Sequence, residues 1–336
     1  MKERLWIPDY LKGWAVLIMI QTHIFETWIR QDVINTPVGE VIRVANNIPA
    51  AMWFMLLMGY LAFFTRSSGR KLFFRGIKVF FWGLLLNIGL NFHYLIQTIS
   101  GKAEGILLES VLAIDILFLA GVSLMILGLI RSSSKAIWIS LASGLLIVLL
   151  TPWIRELLNL ANSDNYIFAL LGSDADWSFF PVFPWASYPL IGYAFAGLLK
   201  KYNLIQLPKS LKLVIMAISL LLGSVGFIFN WNDLADLSSF YHHDWKVFIW
   251  SISFTLGVVI LLSYLPGLKK GAFSAWIQFA GKHLTRYYVI QWLIIGNLAS
   301  FFFKELGLGA YVLGFFVVSA ITTIIVFLLK DKHFVL

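Results

Sequence analysis

The sequence predicts an all-α, polytopic membrane protein with about ten transmembrane helices and both termini in the cytoplasm. Three observations lead there. Of 336 residues, 60% are hydrophobic and only 13% charged, with a mean hydropathy of +0.82, whereas a soluble domain carries about a quarter charged residues. Apolar runs of about 20 residues, the length that crosses a bilayer as a helix, recur along the whole chain. Basic residues gather in alternate loops, as the positive-inside rule requires. No repeat of roughly 20 to 50 residues stands out, so a single transmembrane domain over residues 1–336 is expected.

The runs place helices near 8–29, 48–65, 72–95, 111–130, 135–154, 181–199, 211–230, 247–265, 284–303 and 309–329. The first begins almost at once and has no small-residue cleavage site, so it is expected to be retained. Asn87, Asn91 and His93 interrupt the third, whose outer end is expected in a protein-lined cavity. The fourth contains Asp115, expected to be buried and to pair with a basic residue of another helix. One set of loops holds Lys2 and Arg4, then Arg66, Arg70, Lys71 and Arg75, then Arg131 and Lys135, and later lysines through Lys332. The opposite set is richer in acids, among them Asp32, Asp164, Asp174, Asp176 and Asp233. That asymmetry sets the orientation, assigns the net charge of +9 to the cytoplasmic face of a plasma membrane, and gives no reason to expect nucleic acid as a partner. With no cysteines, thiolate nucleophiles, disulfides and iron–sulfur ligation are excluded.

The first helix carries the chemistry. Lys12 and His23 are eleven residues apart, about three turns, and so lie on one stripe roughly 16 Å apart. Asp9 and Glu26 fall on the same stripe. Ionisable groups in hydrocarbon must pair or face a wet cavity, which makes the line a functional hypothesis. His23 is the natural general base, and Glu26, three residues on, is the expected group to orient it. The competing reading is a histidine making only a helix-to-helix hydrogen bond.

Between the second and third helices lies a basic cluster of Arg66, Arg70, Lys71, Arg75 and Lys78. Arg75 and Lys78 share a helix face. Such a cluster holds phosphates; positive-inside bias or an anionic-lipid site would explain it equally. On the outer side, Asp174, Asp176, Trp177, Phe179, Phe180 and Trp185 crowd together, an acid-and-ring combination suited to a sugar or to an interfacial aromatic belt. His93 is expected to face the cavity of His23 or to be a satisfied interface residue. His242 and His243 with Asp236 and Asp244 resemble a metal site only loosely, and no metal is expected. There is no nucleophile elbow or glycine-rich phosphate loop.

DYLKGWAVLIMIQTH at 9–23 resembles the opening of the transmembrane acyltransferases, a superfamily that includes acyltransferase family 3 and the heparan-alpha-glucosaminide N-acetyltransferase catalytic family. LFFRGIKVFFWGLLLN at 72–87 is similar to the family's third helix, with Lys78 where arginine is usual in family 3. FPVFPWASYPLIGYAFAGLL at 180–199 and AGKHLTRYYVIQWLI at 280–294 are similar to later motifs. The last commonly ends in histidine, whereas this chain has Gln291, to which no proton-transfer role is assigned. The resemblance implies acyl transfer, most often of acetyl, from cytoplasmic acyl-coenzyme A to a hydroxyl or amine of a glycan or sugar at the far face. It carries the reactive role onto His23 and coenzyme contacts onto Arg75 and Lys78. Lys12, Arg70, Lys71 and Arg131 are expected to assist the donor, Glu26 to orient His23, and His93, Asp174, Asp176, Trp177 and Trp185 to meet the acceptor. A homodimer is compatible with all of this. The rival readings are a sugar or lipid transporter or flippase, with Asp9, His23, Glu26 and Asp115 as a proton path, and a non-catalytic partner of a polysaccharide synthase. The inverted symmetry common in transporters is not visible.

Overall fold

The computed structural model describes residues 6–102, 107–162 and 165–332. Lys2, Arg4 and Asp164, which entered the orientation argument, lie outside the described residues. The fold is nearly all helical, with no strands among the described residues. The principal helices are α1 (Trp6–Trp28), α2 (Pro37–Asn46), α3 (Ala50–Phe64), α4 (Gly69–Leu90), α5 (Ile116–Ile130), α6 (Ala136–Asn162), α7 (Ser187–Lys201), α8 (Lys209–Phe229), α9 (Trp245–Ser263), α10 (Ala272–Lys282), α11 (Leu284–Phe302) and α12 (Leu308–Leu328).

Seven helical stretches among the described residues are long and apolar enough to cross a membrane: Pro37–Phe64, Gly69–Leu90, Ala136–Ala161, Val182–Lys201, Lys209–Phe229, Trp245–Ser263 and Leu308–Leu328. The other three expected spans are also helices. However, α5 has only 15 residues, and α1 and α11 carry polar side chains such as Lys12, Glu26, Gln291 and Asn297. In α6, α8 and α12 no more than 22% of the most apolar window is buried. Surfaces of Leu, Ile and Phe left open in this way fit lipid as the neighbour, not water.

Local chemistry explains where the boundaries differ from the apolar runs. The expected 72–95 helix stops at Leu90, and a short helix, Phe92–Ile99, follows. Asn87 donates to the carbonyls of Val111 and Ala113, and Asn91 to that of Ser110, so these amides satisfy irregular backbone there. The expected 111–130 helix is broken before Ile116. Asp115 has extended backbone and accepts a 2.6 Å hydrogen bond from Ile116 N, so it caps α5. Thr36 caps α2 in the same way, with Pro37 in the first helical position.

The chain divides into two compact units, residues 1–50, 84–113 and 267–336 in one, and 51–83 and 114–266 in the other. In the first, α1 packs against α2, α10, α11 and α12. Its crossing with α10 is so close that a Cβ on Gly281 would stand 1.8 Å from the Asp9 carbonyl oxygen, and one on Gly13 2.0 Å from that of Ile277. In the second unit α6 packs on α7 and α8 on α9. Its part of α4 meets α5 through Gly69 and Gly76 against Gly128 and Gly121. Both pairs have heptad spacing, and small residues let the backbones touch where no hydrophobic force drives helices together.

Candidate functional site

His23 sits in the first unit on α1, facing α11. Its Nδ1 is 3.0 Å from Gln291 Oε1 and 2.8 Å from Gln291 Nε2. Gln291 is buried, and its Nε2 also donates to the Tyr288 carbonyl at 3.2 Å. The amide oxygen is placed to accept from Nδ1–H, and in the tautomer held that way Nε2 of the histidine carries the lone pair. No described residue hydrogen-bonds that Nε2. Trp292 stacks on the imidazole, with centroids 3.8 Å apart and planes at 25°, and Tyr288 meets it edge-on at 6.1 Å. Residues 288, 291 and 292 fall together because spacings of three and four share a helix face. A base held at one nitrogen, clamped by rings and open at the other nitrogen is suited to proton abstraction or to attack on a carbonyl.

The rest of the polar stripe is spent on separate partnerships. Lys12 is ion-paired with Asp9 at 2.9 Å, the side chains 12% and 4% exposed, so the charge expected to meet the donor is met by a neighbour one turn away. Glu26 does not turn toward His23. Arg43 of α2 donates to it from Nε at 3.1 Å, and that pair is largely buried. The carboxylate thus ties α2 to α1, beside the hydrogen bond from Thr22 to the Asn46 carbonyl, and the neutral amide of Gln291 takes the place expected for Glu26. His93 Nδ1 lies 2.5 Å from Ser300 Oγ and its ring stacks on Phe301. Both histidines therefore rest on α11, at contacts nine residues or about 13 Å apart.

In the second unit, Arg70, Lys71, Arg75 and Lys78 are exposed on α4. Lys71, Arg75 and Lys78 form one stripe by their spacing of four and three, and Arg70 lies over the Phe74 ring at 5.8 Å. Among the described residues no carboxylate pairs with any of the four. Arg131 is different. Its guanidinium donates to the carbonyls of Ala62 at 2.6 Å and of Thr65, closing the C-terminal end of α3 where a helix dipole favours a cation. Its charge is used in holding the fold.

The acid-and-ring segment is divided too. Asp174 is held by Arg155 (Nη2 at 2.5 Å) and by Asn159 Nδ2 at 2.7 Å. Burial opposes its ionisation, but the hydrogen bond and charge of Arg155, aided by His242 and Asn159, outweigh it and hold the carboxyl below its ordinary range. Trp185 is fully buried, its Nε1 donating to the Tyr241 carbonyl at 2.6 Å, so it belongs to the core and offers no platform to a sugar. Asp176 is exposed, and Trp177, partly exposed, stacks on Tyr166. His243 is buried between the Phe240 carbonyl at 2.8 Å and Tyr188 OH at 2.9 Å, and burial pushes its pKa down to about 4. His242 faces the carbonyls of Ser238 and Ser173, and burial and then Arg155 lower its pKa. Among the described residues no three His, Asp or Glu come together in a metal-binding group.

Sequence reasoning missed Trp292 and Arg43, and it quoted Gln291 without giving it a part. The available signal was a polar amide next to tryptophan in an otherwise apolar helix, which does not say which helix it meets.

Residues 4–229 match the family model described as heparan-alpha-glucosaminide N-acetyltransferase, catalytic. No curated protein and no solved structure matches the chain. The matched span contains His23, Arg75 and Lys78, whereas Gln291 and Trp292 lie beyond it.

Proposed function

The chain belongs to the heparan-alpha-glucosaminide N-acetyltransferase catalytic family, a family of membrane acetyltransferases that in general use acetyl-coenzyme A, and from that premise we propose that it moves an acetyl group from cytoplasmic acetyl-coenzyme A to a hydroxyl or amine of a sugar or glycan on the far side of the plasma membrane, with His23 as the reactive base. The observation that carries this is the hold on His23, with Nδ1 against the Gln291 amide and Nε2 without a hydrogen-bond partner among the described residues. The four cations of α4, which have no carboxylate partner among the described residues, support a role in holding the donor's phosphates, with Arg75 and Lys78 foremost.

The amine or hydroxyl of the acceptor gives its proton to His23 Nε2 as its heteroatom bonds to the thioester carbon. The carbon–sulfur bond then breaks, and the thiolate takes the proton from His23, so that the products are the acetylated acceptor and free coenzyme A. An acyl-imidazole on Nε2 is the covalent variant of the same step. Basic loops on one side and acidic, aromatic loops on the other support an orientation with both termini cytoplasmic. Purified full-length protein in detergent, assayed for release of free thiol from acetyl-coenzyme A over a panel of amino sugars, tests the reading. His23→Ala is expected to abolish transfer while retaining donor binding by calorimetry; transfer at the wild-type rate by that variant would sink it.

A further inference from the structure

Acyl transfer from a thioester passes through a state in which the carbonyl oxygen becomes an oxyanion, and a donor aimed at that oxygen is commonly the largest single contribution of an active site. A histidine supplies no such donor in the tautomer described above. Its stacking partner does. Trp292 Nε1 is buried and has no hydrogen-bond partner among the described residues, although a buried indole N–H ordinarily finds an acceptor. The same indole lies face to face with the His23 ring at 3.8 Å, so its N–H is no farther from the imidazole than its own ring allows. Two other donors of this unit are engaged: the Gln291 amide by His23 and the Tyr288 carbonyl, Arg43 by Glu26.

Building on the acetyltransferase reading, we infer that Trp292 is a catalytic residue whose indole N–H donates to the thioester carbonyl oxygen and to the oxyanion formed from it. Gln291 is a positioning residue that fixes His23 through Nδ1. As the acceptor's heteroatom bonds to the carbonyl carbon, the carbonyl π pair moves onto oxygen and is held there by Trp292 Nε1–H. When that pair returns, the carbon–sulfur bond breaks, and the thiolate leaves with the proton held on His23 Nε2. The stack and the donor are one side chain, so the packing of α11 on α1 sets the register between base and oxyanion donor.

The test uses full-length protein in detergent and a ketone analogue of acetyl-coenzyme A in which a methylene replaces the thioester sulfur. Hydrogen bonding from Trp292 lowers the carbonyl stretching frequency of the bound analogue relative to the analogue in an aprotic solvent, and Trp292→Phe, which keeps a ring on the imidazole but removes the donor, is expected to abolish most of that shift. The same variant should lower kcat by about 10²-fold with donor KM changed less than about threefold. An unshifted carbonyl in wild type, or a shift retained in Trp292→Phe with kcat intact, overturns the inference. His23→Ala separates the two claims. An inactive His23→Ala beside a fully active Trp292→Phe removes the oxyanion role and leaves the enzyme reading. An active His23→Ala, or wild-type protein that does not bind the analogue, removes both.

Discussion

Gln291 holds the place beside His23 that linear spacing suggests for Glu26, and Glu26 pairs with Arg43 instead, which has measurable consequences. The Glu26–Arg43 pair is largely buried, 15% and 16% exposed, and breaking such a pair by removing one partner leaves an uncompensated charge. Arg43→Ala is therefore expected to lower the thermal midpoint in detergent by several degrees, whereas Glu26→Gln with Arg43→Gln together should lower it less. Neither should change the shape of the pH–rate profile, which is the check that Glu26 does not act on His23. Gln291→Leu keeps the volume and removes the hydrogen bond. It should lower kcat by roughly 10-fold or more with little effect on folding, and the loss should vanish in a His23→Ala background, since residues acting through one another are not additive.

His243 gives a pH prediction. Its native pKa lies near 4 because of burial, against an ordinary value of 6.5. Between those values the unfolded chain binds a proton that the native state refuses, so stability is full above pH 6.5 and falls as the pH drops toward 4. The loss is on the order of 3 kcal/mol at most, and it is seen as a falling unfolding midpoint from pH 7.5 to 5 that is shallower in His243→Gln.

At the scale of elements, helix contacts are made by glycine where backbones cross. A Cβ on Gly76 would lie 2.6 Å from the Gly121 carbonyl oxygen, and one on Gly121 2.7 Å from Phe80 N. Gly76→Leu should sharply reduce the yield of monodisperse protein in size-exclusion chromatography, while Gly267→Ala, which meets nothing within 4 Å, should not. The basic residues also separate at this scale. Arg131 closes α3 and is expected, as Arg131→Ala, to reduce stability by about 1–2 kcal/mol without changing donor KM. Arg75→Ala and Lys78→Ala should do the reverse, raising donor KM by about 10-fold with stability intact. Equal effects of all three on KM would return Arg131 to the donor-binding set.

For the whole molecule the open question with a direct readout is orientation. The chain has no cysteines, so a single introduced cysteine reports its own side. Lys269→Cys is expected to resist a membrane-impermeant maleimide in intact cells, and Asp233→Cys to react. The opposite pattern would invert the topology and place the cations of α4 away from cytoplasmic coenzyme A.

Composition alone determined that this is a helical membrane protein, because a bilayer accepts few elements other than an apolar helix of sufficient length, and each of the ten apolar runs contains a helix. The same physics made His23 stand out as a candidate, since an ionisable side chain in such a run is costly. Helix ends were less legible. Asp115 starts a helix, and Asn87 and Asn91 mark the end of another, by hydrogen-bonding nearby backbone, and an apolar count does not register that. What only the tertiary structure decided is partnership. A stripe on one helix says which side chains point the same way but not which neighbouring helix each meets, so Lys12 went to Asp9, Glu26 to Arg43 and His23 to a pair of residues 268 and 269 positions further along the chain. Those partners were in plain sight as Gln291 and Trp292. Only the packing of α11 on α1 gave them a role.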